Sequence, residues 1–228
     1  MLDLRIISIG TLGAHPLWGE RSPVRTGHAT TTLVRSGKVT LLIDPGLPEQ
    51  MLAARLAERA NIGPRDITHV FLTSFHPDTH RGIGAFKDAV WWIAKPEREG
   101  VGIPLVQQLK KASDDREAEV VEVLKREVEI LHRCEEAPET LADRIDVFPL
   151  PGLTPGMTGV LVEEPELTTL ICGDAIPTVE HLRRKMILPG AANVEKARES
   201  FAEALQIADV LVLGRDGQVT NTTDIGAI

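Results

Sequence analysis

Five loops of this sequence carry polar side chains that could bind a metal ion or act on a substrate. Each follows a run of residues that is predicted as a β-strand. The loops contain Asp44, the segment Ser74–His80, the turn Pro151–Gly156, the pair Gly173-Asp174 and the pair Arg215-Asp216. In layered α/β folds, functional sites collect where the ends of several strands meet. The five loops together therefore predict one shared site at a sheet edge, although each loop alone is weak evidence.

The segments between these loops predict a layered α/β domain, because strands precede and follow helical segments throughout. The expected strands cover residues 4–9, 30–35, 39–43, 67–73, 145–148, 159–162, 168–172 and 209–213, with helices at about 48–60 and 193–207. A further helical segment lies at about 104–136, where apolar residues recur at spacings of three and four. We predict a single domain over residues 1–228 with this segment as a helical insertion.

Composition and charge exclude several classes of protein. Hydrophobic residues make up 43% and charged residues 25% of the chain, as in ordinary globular proteins. The net charge of −8 argues against nucleic acid and anionic membranes as partners. No apolar stretch approaches the roughly 20 residues that a transmembrane helix needs. The N-terminal segment MLDLRIISIG lacks the basic-then-apolar pattern of an export signal, so a cytoplasmic location is expected.

The order and spacing of the five loops resemble the metallo-β-lactamase superfamily over nearly the whole chain. The segments that carry the resemblance are TTLVRSGKVTLLIDPG, ITHVFLTSFHPDTHRGIGAF, VFPLPGLTPGMTGVLV, LTTLICGDAI and ADVLVLGRDGQV. They are similar to the family's Asp-x-Gly turn, its His-x-His-x-Asp-His loop, its Pro-Gly-His turn, the strand before its metal-bridging Asp, and its final Pro-Gly-His-Gly loop. The resemblance implies an α/β fold, a four-layer α/β–β/α sandwich of two mixed β-sheets flanked by helices.

The sequence departs from the family at the metal ligands. On the family motif, the seven ligand positions fall on Ser74, His76, Asp78, Thr79, Leu153, Asp174 and Asp216. Leucine has no lone pair and serine is a poor zinc ligand, so the first of the family's two metal sites is expected to be lost. The second site would retain carboxylates, which are hard ligands that favour Mg²⁺, Mn²⁺ or Ca²⁺ over zinc.

One function that these residues leave open is a hydrolase with a depleted, mononuclear metal site. A single divalent ion (Zn, Mn, Fe or Mg) would activate water to attack an ester, a lactone or a phosphodiester. Its candidate ligands are His76, Asp78, His80, Asp174 and Asp216. Asp78 or His76 would take the proton and thus be catalytic.

The other function is a catalytically inactive, metal-free member of the fold that serves as a binding or interaction protein. Clustered carboxylates cannot all stay ionised without a positive group, and Arg215, adjacent to Asp216, could supply that charge. Since fold does not guarantee function, the replaced ligands favour this alternative, while the retained Asp78 and Asp174 favour the metal. The retained carboxylates make the hydrolase the first prediction and the metal-free binding protein its alternative.

Two kinds of partner are expected. Either function implies a small-molecule substrate or ligand. The amphipathic insertion could also serve as the surface of a homodimer. Charged residues in place of Val121 and Leu124 would then abolish the dimer. In the ordinary alternative, the apolar stripe of the insertion packs on its own domain.

Overall fold

Two six-stranded β-sheets form the centre of the structure, a computed structural model that describes residues 2–222. In spatial order, the first sheet contains β1 (Asp3–Ser8), β2 (Thr31–Ser36), β3 (Val39–Ile43), β4 (His69–Leu72), β5 (Val90–Ile93) and β6 (Glu135–Glu136). The second contains β12 (Gln218–Thr220), β11 (Val210–Val212), β10 (Leu167–Ile171), β9 (Thr158–Glu164), β8 (Ile145–Pro149) and β7 (Thr140–Ala142). Both sheets are mixed, because β3 to β6 and the pair β10–β11 are parallel while the other pairs are antiparallel.

Six helices accompany the sheets in the described part of the chain. They are α1 (Glu49–Ala60), α2 (Pro77–His80), α3 (Lys95–Asp114), α4 (Ala118–Arg133), α5 (Val179–Arg184) and α6 (Val194–Ile207). Residues of α1, α3 and α4 share a buried cluster with the first sheet, and residues of α6 share one with the second. Between residues 2 and 222, no helix has the length and apolar character that a membrane span requires.

Side chains of the central strands point alternately to the two faces of the sheet, and this explains how the layers stack. On β3 and β4, Leu42 and Val70 lie in the cluster shared with the helices, whereas Leu41 and Phe71 lie in a cluster shared with Val160 of the second sheet. Successive side chains of a strand point to opposite faces, so a strand that is covered on both faces must be apolar throughout. The predicted four-layer α/β–β/α sandwich is confirmed.

The helical insertion begins earlier than the sequence pattern indicated. The prediction placed it at about 104–136, but α3 begins at Lys95 and contains Pro104, and α4 ends at Arg133. Pro96 occupies the first turn of α3, where the missing N–H of proline costs no helical hydrogen bond. Arg116, with φ of 61°, makes the turn between the two helices.

Candidate functional site

Loops that follow the parallel strands β3, β4, β10 and β11 meet at one edge of the sandwich. Asp44, after β3, accepts hydrogen bonds from the backbone N–H and the hydroxyl of Thr73, after β4, at 2.9 and 2.6 Å. Gly214, after β11, packs so closely on Gly173 that a side chain at position 214 would collide with backbone atoms. The close approach of these loops brings their polar residues to one place.

Arg215 lies at the centre of this place and binds two carboxylates. Its Nε and Nη2 donate to Oδ1 and Oδ2 of Asp174 at 2.7 and 2.6 Å, and its Nη1 donates to Oδ2 of Asp78 at 2.8 Å. The side chains of Arg215 and Asp174 are 4% and 9% exposed. A planar guanidinium matches a carboxylate with two parallel hydrogen bonds, which makes this a strong, directional ion pair.

The ion pairs set the charge states of the buried groups. Burial acts to raise the pKa of Asp174, but the charge and hydrogen bonds of Arg215 outweigh it and leave that pKa below its ordinary value. Burial acts to lower the pKa of Arg215, yet Asp174 and Asp78 leave it raised. Both carboxylates of the cluster therefore have a permanent positive partner.

Asp78 has a second cationic partner. Nη2 of Arg81 donates to its Oδ1 at 2.9 Å, and Nη1 of Arg81 donates to the carbonyl of Gly27 at 3.0 Å. Each oxygen of Asp78 is thus engaged by a guanidinium. The pattern leaves this carboxylate with two strong donors before any substrate or water is considered.

His76 lies beside Asp78, and a backbone hydrogen bond determines which of its ring nitrogens carries the proton. Its Nδ1 accepts a hydrogen bond from the backbone N–H of Asp78 at 3.2 Å and lies 4.0 Å from Asp78 Oδ2. The neutral ring therefore carries its proton on Nε2. Burial lowers the pKa of His76, in opposition to the charge of Asp78. The ring is 58% exposed, so it presents an N–H donor to solvent.

Two residues that the sequence predicted as metal ligands are bound elsewhere. His80 is buried, its Nε2 lies 3.0 Å from Glu127 Oε2 of α4, and its ring packs on Phe75. Asp216 accepts from the backbone N–H of Val179 at 3.2 Å, at the start of α5, and from that of Gly217 at 2.7 Å. Neither side chain contacts Arg215, because α4 takes up the first and the N-terminus of α5 takes up the second.

The position where the family motif has its Pro-Gly-His histidine is filled by an apolar group. Leu153 packs on the cluster of the second sheet and lines, with Asp174 and Leu150, a cavity of about 10 Å³. That volume is at the limit for a single water molecule. Ser74 is buried, and its carbonyl accepts the Thr79 hydroxyl at 2.8 Å. Leu153 therefore lies beside Asp174 with room for at most one water molecule between the residues that line this cavity.

The residues of this site do not fit a divalent metal ion. The guanidinium of Arg215 engages both oxygens of Asp174 and one oxygen of Asp78, which are the oxygens that an ion between them would need. An ion there would also lie against a buried positive charge. Among residues 2–222, no group of three or more His, Cys, Asp or Glu side chains is arranged to hold a metal ion.

One residue that sequence reasoning missed, Glu97, ties two of the loops together. This fully buried carboxylate of α3 accepts from the backbone N–H of Phe75 at 2.8 Å, from the hydroxyl of Thr154 at 2.6 Å and from the N–H of Gly156 at 3.1 Å. The sequence pattern did not single it out, because the helix was predicted to begin only at about residue 104, whereas α3 begins at Lys95. Arg81 was also missed, because it lies one residue beyond the predicted site segment Ser74–His80.

The likeness to known proteins agrees with this architecture. The sequence profile of the metallo-beta-lactamase superfamily matches residues 24–214. No curated protein matches the sequence.

Three solved structures illustrate the likeness in fold. A Thermotoga maritima protein assigned as a metallo-β-lactamase is 19% identical, with 96% of this chain and 99% of that chain covered and a TM-score of 0.67. A Staphylococcus aureus protein assigned as a metal-dependent hydrolase is 16% identical, with coverages of 98% and 93% and a TM-score of 0.69. AidC, a dizinc quorum-quenching lactonase, is 21% identical, with coverages of 78% and 67% and a TM-score of 0.61. The chain belongs to the metallo-β-lactamase superfamily.

Proposed function

We propose that this chain is a metal-independent member of the superfamily that acts as a binding or interaction protein rather than as a hydrolase. The observation that carries the proposal is the guanidinium of Arg215, which bridges Asp174 and Asp78. A cation that belongs to the chain itself neutralises the carboxylates that a metal ion would otherwise need to neutralise.

The state of the two candidate catalytic residues also supports the proposal. Hydrolysis needs an activated water, and activation needs a Lewis acid or a base with a free acceptor atom. Both oxygens of Asp78 are bound by arginines, and the acceptor nitrogen of His76 is used by the backbone N–H of Asp78. His76 therefore has no free acceptor atom for the proton of a water molecule, and each oxygen of Asp78 already accepts from a guanidinium.

The chemistry that the site offers to a ligand is hydrogen-bond donation. The exposed ring of His76 offers the site's Nε2–H donor to solvent. Arg81, about one-third exposed, binds the other oxygen of Asp78. A small molecule that binds there would therefore present acceptor oxygens. The donor role of His76 follows from the proton on its Nε2, and the same tautomer argues against His76 as a base.

The alternative is a hydrolase with one divalent ion that acts on an ester, a lactone or a phosphodiester. Its support is the superfamily itself and the fold-level likeness to the lactonase AidC. Fold alone does not carry an activity across such low identity, so the metal content of the protein is the deciding measurement.

The test is elemental analysis and metal titration of protein purified without added metal and without a metal-binding tag. We expect no stoichiometric Zn, Mn or Fe and no heat of binding on titration with Zn²⁺ or Mn²⁺. The variant Arg215→Ala, which frees two carboxylates, is expected to gain measurable binding of a divalent ion, whereas Arg55→Ala on the surface of α1 is not. About one equivalent of metal in the wild type that disappears in Asp174→Ala would overturn the proposal in favour of the hydrolase.

A further inference from the structure

The outer face of α3 carries an exposed stripe of four residues. Glu99, Ile103, Val106 and Lys110 follow one another at spacings of four, three and four, which places them on one side of a helix. All four are exposed, and Ile103 and Val106 are 68% and 55% exposed. Among residues 2–222, neither Glu99 nor Lys110 takes part in an ion pair. Two large apolar side chains and two unpaired charges thus face away from the domain.

The inner face of the same helical hairpin is already used by the domain. Leu105 of α3 and Ile130 and Leu131 of α4 are buried in the first cluster, and Leu124 packs partly against it. Leu124 thus packs on the domain's own core, as the ordinary alternative for the insertion expected, and a dimer would have to use another face of the hairpin. The apolar residues left without cover are on α3 and on the outer side of α4.

A groove runs beside the stripe. Its volume is about 840 Å³, and Gly102, Ile103 and Val106 of α3 line it together with Glu136 of the edge strand β6. Because Gly102 has no side chain, the groove has more space next to Ile103. The groove therefore offers a recess beside each exposed apolar side chain, which is the surface that marks an association site on a monomer.

We propose that two copies of this chain associate through the stripe, with their α3 helices antiparallel about a two-fold axis. Along α3 the stripe runs from an acidic residue through two apolar residues to a basic one. A second stripe in the reverse direction therefore complements the first. Antiparallel pairing sets Glu99 opposite Lys110 of the second copy and Ile103 opposite Val106 of the second copy. Isologous interfaces of two-fold dimers need this kind of self-complementary patch.

Charge favours a second copy over an unrelated partner. The chain as a whole carries a net charge of −8, so two copies can associate favourably only through a surface that is itself neutral. The stripe is neutral, and each of its charges meets the opposite charge in the dimer. A basic or acidic partner would leave one of these two charges facing a like charge, which is unfavourable at an interface.

The experiment measures the solution mass of the full chain by sedimentation and light scattering over micromolar to submillimolar concentrations. We expect a mass near twice the 24.9 kDa of one chain. Ile103→Glu/Val106→Glu is expected to give a monomer, whereas Val24→Glu, at an equally exposed apolar residue in a distant loop, keeps the dimer. A monomeric wild type throughout the range, or an unchanged dimer in the double variant, would overturn the proposal.

Charge reversal tests the orientation of the two helices. Glu99→Lys and Lys110→Glu each place like charges together twice, so each is expected to raise the dimer dissociation constant by about tenfold or more. The double reversal Glu99→Lys/Lys110→Glu restores complementarity and is expected to restore the dimer, as is a mixture of the two single variants. A double reversal that is folded by circular dichroism but monomeric would contradict the antiparallel arrangement. None of these residues belongs to the Arg215 site, so the dimer and the proposed function can fail separately.

Discussion

At the scale of single residues, a guanidinium takes the place that a metal ion would hold between two loops. Arg215 suits this position because its three donor nitrogens reach three carboxylate oxygens in fixed directions. A lysine would be a point charge with no such fork. The identity of residue 215 therefore decides whether the carboxylates are satisfied without an ion.

The first prediction is that Arg215→Ala lowers the free energy of unfolding by about 3–5 kcal/mol, because it leaves Asp174 buried without its partner. Arg55→Ala is the control, since Arg55 and Glu58 form an exposed pair on α1 that is worth a few tenths of a kcal/mol. Chemical denaturation of both variants at neutral pH measures the difference. Equal losses in the two variants would show that the buried pair contributes no more than a surface pair.

The second prediction concerns Asp44, whose pKa burial raises from 3.8 to about 7, against two lowering hydrogen bonds from Thr73. A carboxyl with a raised folded pKa contributes stability that is complete below the unfolded value and is lost as pH rises through the folded value. Between pH 3.8 and about 7, the unfolding free energy of the wild type relative to Asp44→Asn should therefore fall. Denaturation at several pH values measures it, with Asp143→Asn at an exposed residue as the control. A difference that stays flat or grows with pH would refute the assignment.

Sequence reasoning reached part of this site. The strand-end pattern singled out Asp78, Asp174 and Arg215, which the structure brings into contact, and it offered Arg215 as the alternative to a metal. It could not tell which side chain of the pair Arg215-Asp216 points into the site. The direction of each side chain depends on the backbone angles of the loop, which the sequence does not reveal. Glu97 gave no signal for a related reason, since its three partners lie in loops that meet only in the folded chain.

At the scale of elements, the sequence pattern predicted eight of the twelve strands between residues 2 and 222 and missed β5, β6, β7 and β12. Strands β3 and β10 and helix α1 carry enough periodic residues to be placed within a residue or two. The four residues of β5 and the two of β6 are too few to show a period, and Pro104 suggested a helix start where α3 only passes through.

The third prediction is that Glu97→Ala destabilises the fold by about 3 kcal/mol, because it removes the carboxyl oxygens that accept from the buried N–H groups of Phe75 and Gly156. Glu122→Ala, at an exposed glutamate of α4, should change the unfolding free energy by less than about 0.5 kcal/mol. Urea denaturation compares the two. A small effect at position 97 would mean that the loops keep their positions without this carboxylate.

The fourth prediction concerns the long loop between β1 and β2. His15 anchors it, because its Nε2 lies 3.2 Å from Thr178 Oγ1 and its ring stacks on Trp18 with centroids 4.1 Å apart. His15→Ala should therefore speed limited trypsin cleavage after Arg21, an exposed residue of this loop. His132→Ala, on the surface of α4, is the control. Unchanged cleavage in His15→Ala would show that the loop is held by other contacts.

At the scale of the whole molecule, the ion-pair cluster joins the two halves of the sandwich. Asp78 lies in α2, shortly after β4 of the first sheet, while Asp174 and Arg215 follow strands of the second sheet. Backbone contacts run in parallel, from Thr158 N–H to the Thr73 carbonyl at 2.9 Å and from Thr30 N–H to the Gly214 carbonyl at 2.8 Å. At this edge, groups of the chain itself join the two sheets.

The fifth prediction follows from this ion-pair cluster. A ligand that binds only the native state raises the melting temperature, and its removal lowers it. Because the carboxylates at the sheet edge are neutralised by Arg215, neither EDTA nor added Zn²⁺ or Mn²⁺ should shift the thermal unfolding midpoint of the wild type. In Arg215→Ala, added Mn²⁺ should raise the midpoint, since the ion can then take up the charge of Asp78 and Asp174, and EDTA should reverse that gain. A wild-type midpoint that falls in EDTA would mean that a metal ion, rather than the guanidinium, holds the two sheets together at this edge.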